Sequence, residues 1–123
     1  MKHKYFVISL LAAIIMLTID ANGAETHSND LFSIKVKEKC GYIDKTGKLS
    51  ILPQFDEAKP FFEGLTQVKR VNKWGYISKT GQILIKPQFD WTEPFSNGLA
   101  LVRIGTRPKY IDKQGKIVRQ FDE

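Results

Sequence analysis

Apolar residues along this chain form one long run near the N-terminus and short clusters thereafter. Tyr5 to Ile19 is a continuous apolar run of 15 residues behind a basic head of Lys2, His3 and Lys4. From residue 31 onward the apolar residues are mostly β-branched and aromatic, in strand-length groups separated by turns that contain glycine or proline. No stripe with the 3.6-residue period of a helix occurs there. The pattern predicts a targeting segment followed by an all-β domain.

The apolar run has the features of a secretory signal peptide. A basic head precedes it, and the small residues Ala21, Gly23 and Ala24 follow it. A membrane-spanning helix needs about 20 apolar residues, so this run is too short to be one. We predict a signal helix within residues 1–24 with cleavage after Gly23 or Ala24, and a secreted or periplasmic protein without a transmembrane domain. An uncleaved anchor holding the same domain outside the cytoplasm stays open.

The β region consists of a repeat with an offset of 34 residues. The segment CGYIDKTG at residues 40–47 recurs as WGYISKTG at 74–81 and as PKYIDKQG at 108–115, and PQFD recurs at 53–56 and 87–90. Self-similarity at such a period indicates units that bury their apolar faces by stacking on each other. The predicted parts are a flexible leader (25–30), a leading strand (31–38), two copies (39–72 and 73–106) and a truncated copy (107–123) within one β domain at 31–123.

One copy predicts three short antiparallel strands. In the central copy, Lys73 to Ile77 and Gln82 to Ile85 flank a turn that ends at Gly81, which can take positive φ without steric cost. Pro87 is expected to end the second strand because it has no N–H to donate. The third strand, Leu99 to Ile104, carries recurrent apolar residues three apart, which predicts a bulge. The predicted fold is all-β, a twisted or curved sheet, and fewer than three full copies argue against a closed propeller.

These motifs resemble the WG repeat, also called the KWG repeat. The resemblance rests on Lys73-Trp74-Gly75-Tyr76-Ile77, the hairpin glycine, PQFD, and the Pro-Phe and Gly-Leu pairs that follow, and it covers most of residues 31–123. It implies an all-β repeat protein, frequently bacterial and exported, with no defined activity. Cys40 replaces the tryptophan in the first copy, and Pro108-Lys109 replaces the Trp-Gly pair in the third.

Aromatic residues that recur in register are the predicted core, because stacked units bury a continuous aromatic seam. Trp74 is expected to pack in that seam, and it is also a candidate for an interaction surface. The predicted core residues are Tyr42, Tyr76, Tyr110, Phe55, Phe89, Phe121, Phe61 and Phe95.

Composition argues against catalysis. One cysteine and two histidines leave little for a nucleophilic triad or a metal site. Asp56, Asp90 and Asp122 each follow a phenylalanine, and we expect them to hydrogen-bond backbone N–H groups two residues further on. Cys40 is expected to be a small buried hydrophobe, with a disulfide-linked dimer as an alternative. We predict no enzyme activity, no catalytic residue, no metal and no cofactor.

Basic residues recur in three columns. The chain has 19 basic and 13 acidic residues, and 17 and 12 remain after removal of residues 1–24, a net charge of +5. Such columns either solvate sheet edges and turns or attract a polyanion. The columns are Lys45, Lys79 and Lys113; Lys35, Lys69 and Arg103; and Lys39, Lys73 and Arg107.

Three functions remain open from the sequence. The first is an exported, non-catalytic interaction module for an unknown protein or envelope component, bound through the sheet surface or an exposed strand edge. The second is a binder of anionic envelope polymer or lipid through the lysine columns, with nucleic acid the least expected polyanion. The third is a small inhibitor or immunity partner of an exported enzyme. Exposed terminal strands also make edge-to-edge self-association possible.

Overall fold

The structure, a computed structural model, describes residues 17–19, 25–27 and 30–121. The described residues form strands and turns, with no helix long and apolar enough to cross a membrane. Most of the predicted signal segment lies outside the described residues. Asp122, one of the three aspartates predicted to bond backbone N–H groups, also lies outside them. The strands are β1 (Leu17–Ile19), β2 (Glu25–His27), β3 (Phe32–Val36), β4 (Lys39–Ile43), β5 (Leu49–Phe55), β6 (Glu57–Ala58), β7 (Leu65–Arg70), β8 (Lys73–Ser78), β9 (Ile83–Phe89), β10 (Trp91–Thr92), β11 (Leu99–Ile104), β12 (Arg107–Asp112) and β13 (Ile117–Gln120).

The strands are arranged in successive antiparallel sheets. After the β1–β2 pair, the sheets have the orders β3-β4-β5, β6-β7-β8-β9 and β10-β11-β12-β13. Each of the last two begins with the end of one sequence copy and finishes with the start of the next. The prediction of an all-β fold of short antiparallel strands is confirmed, and the sheets are out of phase with the sequence repeat.

The chain passes from one sheet to the next at the Phe-Asp pairs. Asp56 separates β5 from β6, and its backbone N–H donates to the Lys69 carbonyl at 2.8 Å. Asp90 separates β9 from β10 in the same way, and its N–H donates to Arg103 at 2.9 Å. These corners give each of the first two copies an additional two-residue strand, β6 or β10, that was not predicted from the sequence.

Each hydrophobic cluster combines residues from consecutive copies. The first contains Tyr42, Ile51, Phe55 and Val68, and Ile77 of the next copy completes it. The second is built the same way, and the members the structure assigns to it are Leu65, Tyr76, Ile85, Phe89, Phe95, Ala100, Val102 and Ile111. No copy therefore has a complete core of its own, as expected for stacked units.

Strand β7 lies between the two clusters. Leu65 belongs to the second cluster and Val68 to the first, so these residues three apart point to opposite faces of the strand. Strand β11 pairs with β12 without a register shift from Leu99 to Ile104. The predicted bulge in the third strand is therefore wrong: the spacing of three reflects burial on both faces.

The register shifts between β8 and β9 instead. Trp74 pairs with Phe89 and Tyr76 with Ile85, so one residue of β8 faces three residues of β9. Pro87 lies within this bulge, where its missing N–H removes no ladder hydrogen bond. Strand β9 therefore continues to Phe89, and the prediction that Pro87 ends it is wrong.

Gly75 is the residue of β8 that lies opposite the bulge. A Cβ atom there would lie 2.5 Å from the Ile85 carbonyl oxygen and 2.6 Å from the Pro87 nitrogen. Gly41 meets the same obstruction from the backbone of β5. The glycine of the repeat motif is thus required by close approach of two backbones.

The third copy lacks the three-residue bulge and the glycine opposite it, although a register shift remains between Tyr110 and Ile111. It is two residues shorter after Val118, and Lys109 and Tyr110 pair with Gln120 and Arg119 without an extra residue. Lys109 therefore occupies the glycine position without the obstruction seen at Gly75. The exposed Arg119 replaces the buried isoleucine of the earlier copies, Ile51 and Ile85.

We expect Gly75→Ala to lower the free energy of unfolding by about 2–3 kcal/mol, because the new methyl group would push two backbone segments apart. Lys109→Ala at the same repeat position should change it by less than about 0.5 kcal/mol. Urea unfolding followed by tryptophan fluorescence measures both. Equal effects of the two substitutions would contradict the proposed role of the bulge.

Candidate interaction surface

The recurrent tyrosines are structural residues in the first two copies. The Tyr42 and Tyr76 rings are fully buried, and their hydroxyls donate to the carbonyls of Lys59 at 2.7 Å and Glu93 at 2.6 Å. Burial raises the pKa of both phenols, that of Tyr42 to about 12. These hydroxyls are therefore neutral donors that fix the loop after each corner. Tyr110 is only half-buried, and among the described residues its hydroxyl has no hydrogen-bond partner.

The predicted core phenylalanines differ in burial between the first two copies and the third. Phe55, Phe89 and Phe95 are buried, and Phe61 is half-buried against the Tyr42 ring at a centroid distance of 4.9 Å. Phe121 is 39% exposed, so its prediction as a core residue is wrong. Its ring lies edge-on to Tyr110 at a centroid distance of 6.0 Å, and the Arg119 guanidinium lies 5.7 Å from its centre.

The recurrent aspartates connect distant parts of the chain. The Asp56 carboxylate accepts hydrogen bonds from Lys39 Nζ at 2.6 Å and from the Val71 backbone N–H at 3.0 Å. Asp90 accepts from Lys73 and from the Gly105 N–H in the same arrangement. The bonded N–H groups lie 15 residues further on, not two. The expectation of a local turn was therefore wrong, and each carboxylate holds the hairpin turn of the next sheet.

These contacts lower the pKa values of both carboxyls. For Asp56 the Lys39 hydrogen bond has the largest effect, followed by the Val71 N–H. For Asp90 the Gly105 N–H comes first and Lys73 second. The local turn role predicted for these aspartates falls instead to Asp44, whose carboxylate accepts from the Thr46 N–H at 2.9 Å.

Five basic residues of the three columns form ion pairs within the fold. Arg103 has no acidic partner among the described residues, but its guanidinium lies 5.7 Å from the centre of the Trp91 ring. The ion pairs that involve the columns are Lys35–Glu38 (3.7 Å), Lys39–Asp56 (2.6 Å), Lys69–Glu57 (3.3 Å), Lys73–Asp90 and Lys113–Glu63 (3.3 Å).

In the column of hairpin-turn lysines (Lys45, Lys79 and Lys113), Lys113 forms an ion pair. Lys113 donates to the Glu63 carbonyl at 3.1 Å and pairs with its carboxylate. That carboxylate also accepts the backbone N–H groups of Asn97 and Gly98 at 2.6 and 2.9 Å, so Glu63 links three copies. Lys45 and Lys79 have no acidic partner in the described part of the chain.

Trp74 is half-buried at the margin of the second cluster. The ammonium groups of Lys59 and Lys69 lie 5.5 and 5.6 Å from its ring centre, within the range of cation–π interactions. Cys40, in the equivalent position of the first copy, is buried with its Sγ 3.8 Å from the Asp56 carbonyl oxygen. Both residues therefore contribute to packing, and Trp74 leaves part of its ring accessible.

An exposed position is aliphatic in every copy. Leu49, Ile83 and Ile117 follow the hairpin turn in register, and they are 42%, 40% and 48% exposed. We call these three residues the aliphatic column. It was not predicted, although the sequence shows Leu or Ile two positions after each hairpin glycine.

A cleft lies beside the central member of the aliphatic column. It has a volume of about 600 Å³ between the β7–β8 turn and β9. Apolar side chains and the aliphatic stems of basic residues form its walls. Its lining residues are Arg70, Val71, Lys73, Ile83, Lys86 and Pro87.

Among residues 30–121 no group of three or more His, Cys, Asp or Glu side chains could hold a metal ion. The carboxylates described above are engaged with lysines and backbone N–H groups. The arrangement supports binding through exposed apolar and basic side chains.

A family model for the WG containing repeat matches two adjacent segments, residues 41–74 and 74–105, which together cover more than half of the chain. This protein belongs to the WG-repeat family. Searches against curated proteins and against solved structures give no match.

The structure explains the two signature residues of the WG repeat. The glycine leaves room for the backbone of the bulged strand, which passes too close for a Cβ atom. The tryptophan packs against the edge of the hydrophobic cluster. The matched segments stop at residue 105, before the third copy. That copy lacks the bulge, so neither signature residue is needed there.

We expect Tyr76→Phe to lower the free energy of unfolding by about 1 kcal/mol, because the Glu93 carbonyl loses its donor. Tyr110→Phe is the matched control and should have no measurable effect. Urea midpoints of the two variants provide the test, and a similar loss in both would show that the hydroxyl bond is not the cause.

Acid should destabilise the protein through the corner carboxylates. Their folded-state pKa values lie below the ordinary 3.8, so their stabilising contribution is present above that pH and is lost as the pH falls below it. Asp90→Asn should therefore reduce the change in unfolding midpoint between pH 5 and pH 2. The exposed Asp30→Asn variant is the control, and an undiminished pH dependence in Asp90→Asn would contradict the assignment.

Proposed function

We propose that this WG-repeat protein is an exported, non-catalytic binding module whose partner is a component of the cell envelope. The observation that carries the proposal is the aliphatic column. A solvent-facing position would tolerate polar residues if it served only the fold, yet all three copies have leucine or isoleucine there. Repeated exposed apolar residues are a feature of interaction surfaces.

Two further features support a binding role. First, the carboxylates of Asp56 and Asp90 and the buried tyrosine hydroxyls form hydrogen bonds within the fold, so these groups have structural roles. The N-terminal run that resembles a signal peptide supports export, since a secreted chain meets envelope components first.

A second candidate is binding of an anionic envelope polymer through the hairpin lysines. It is favoured by Lys45 and Lys79, which have no acidic partner among the described residues. The ion pairs elsewhere in the basic columns weaken it, because a neutralised lysine attracts a polyanion less.

Replacing Leu49, Ile83 and Ile117 together by glutamine should abolish binding of the protein to an isolated envelope fraction, measured by co-sedimentation. The fold should persist because these side chains are already 40–48% exposed, and a urea midpoint verifies this. The matched variant replaces Lys45, Lys79 and Lys113 by glutamine and should keep its binding.

The two variants separate the candidates. Salt-sensitive binding lost only in the lysine variant would favour the polymer and contradict the aliphatic column. Wild-type protein that does not bind any envelope fraction would contradict the proposed function itself.

A further inference from the structure

Val71 is in an unfavourable conformation at an exposed position. It is 80% exposed at the tip of the β7–β8 turn, and its φ is 50°, in the left-handed region. A β-branched residue is poorly suited to that region, where glycine and asparagine are usual. The equivalent positions hold Lys37 and Gly105. The Val71 backbone N–H bonds Asp56, but its side chain contributes little to folding or solubility, which suggests that this side chain serves an interaction.

The surroundings of Val71 are basic. Arg70, Lys73 and Lys86 line the adjoining cleft, and Lys86 has no ion pair among the described residues. Arg70 donates to the Gln54 side-chain oxygen at 3.1 Å and its guanidinium lies 5.1 Å from the centre of the Phe55 ring, so no acidic group pairs with it among the described residues. Asp90 neutralises Lys73. The cleft therefore carries a net positive charge beside its apolar wall.

We propose that the Val71 tip and this cleft dock on the surface of an anionic lipid membrane. Resting on the proposed function, this inference names the envelope component as lipid. The charges of Arg70 and Lys86 complement lipid phosphates, and Val71 reaches the boundary between headgroups and acyl chains. Ile83 and Pro87 extend the apolar contact behind the tip. A soluble polyanion would use the cations but would gain nothing from a protruding valine.

The test is co-sedimentation of the full chain with vesicles of phosphatidylcholine alone and of phosphatidylcholine mixed with phosphatidylglycerol. The N-terminal apolar segment is identical in all variants, so its contribution cancels in each comparison. Wild-type protein should bind the anionic vesicles more strongly, and the difference should shrink at high salt.

Val71→Gly should weaken binding to anionic vesicles about five-fold through loss of the apolar contact. It should leave the urea midpoint unchanged or raised, since glycine suits a positive φ. The double variant Arg70→Gln and Lys86→Gln should weaken binding at least about ten-fold. The charge-matched control, Lys45→Gln and Lys116→Gln, should weaken it less than about two-fold.

Three outcomes would overturn the inference: unchanged binding by Val71→Gly, equal losses in the two charge variants, or full displacement from vesicles by soluble polyphosphate at low concentration. Binding to delipidated envelope protein without binding to vesicles would reject the lipid surface but leave the proposed function standing. Binding to neither would reject both.

Discussion

The sharing of each hydrophobic cluster between consecutive copies is the interaction on which the rest of the structure depends. Ile77 completes the cluster around Tyr42, and Ile111 completes the one around Tyr76. Since neither cluster is closed by its own copy, burial of the aromatic rings requires a neighbour. The carboxylates of Asp56 and Asp90 tie successive sheets together within one copy, and Glu63 links three copies. Polar contacts therefore fix the turns around the shared core.

The same dependence explains the variation among copies. Where a following unit covers the cluster, the chain keeps an isoleucine, a bulge and a glycine opposite it. In the third copy all three change together: Arg119 replaces the isoleucine, two residues are missing and Lys109 replaces the glycine. The third copy is thus a modified unit whose last strand, β13, is exposed along its length.

The proposed function rests on side chains that do not take part in packing between the copies. The tyrosines and corner aspartates satisfy backbone groups, and several lysines satisfy the aspartates and glutamates. Several apolar side chains remain exposed, among them the aliphatic column and the strained Val71. Their proximity to Arg70 and Lys86 is the basis of the proposed membrane-docking site.

The repeat, its 34-residue period, the all-β class and the hairpin glycines could be predicted from the amino-acid sequence, because they depend on local pattern and turn chemistry. Which residues meet across copies depends on the packing of the folded chain. The bulge at Pro87, the two-faced burial of β7, the long-range role of Asp56 and the exposure of Phe121 all depend on what lies on the far side of a strand. A period in the sequence shows that units stack, but the stacking geometry decides which face of each strand is covered.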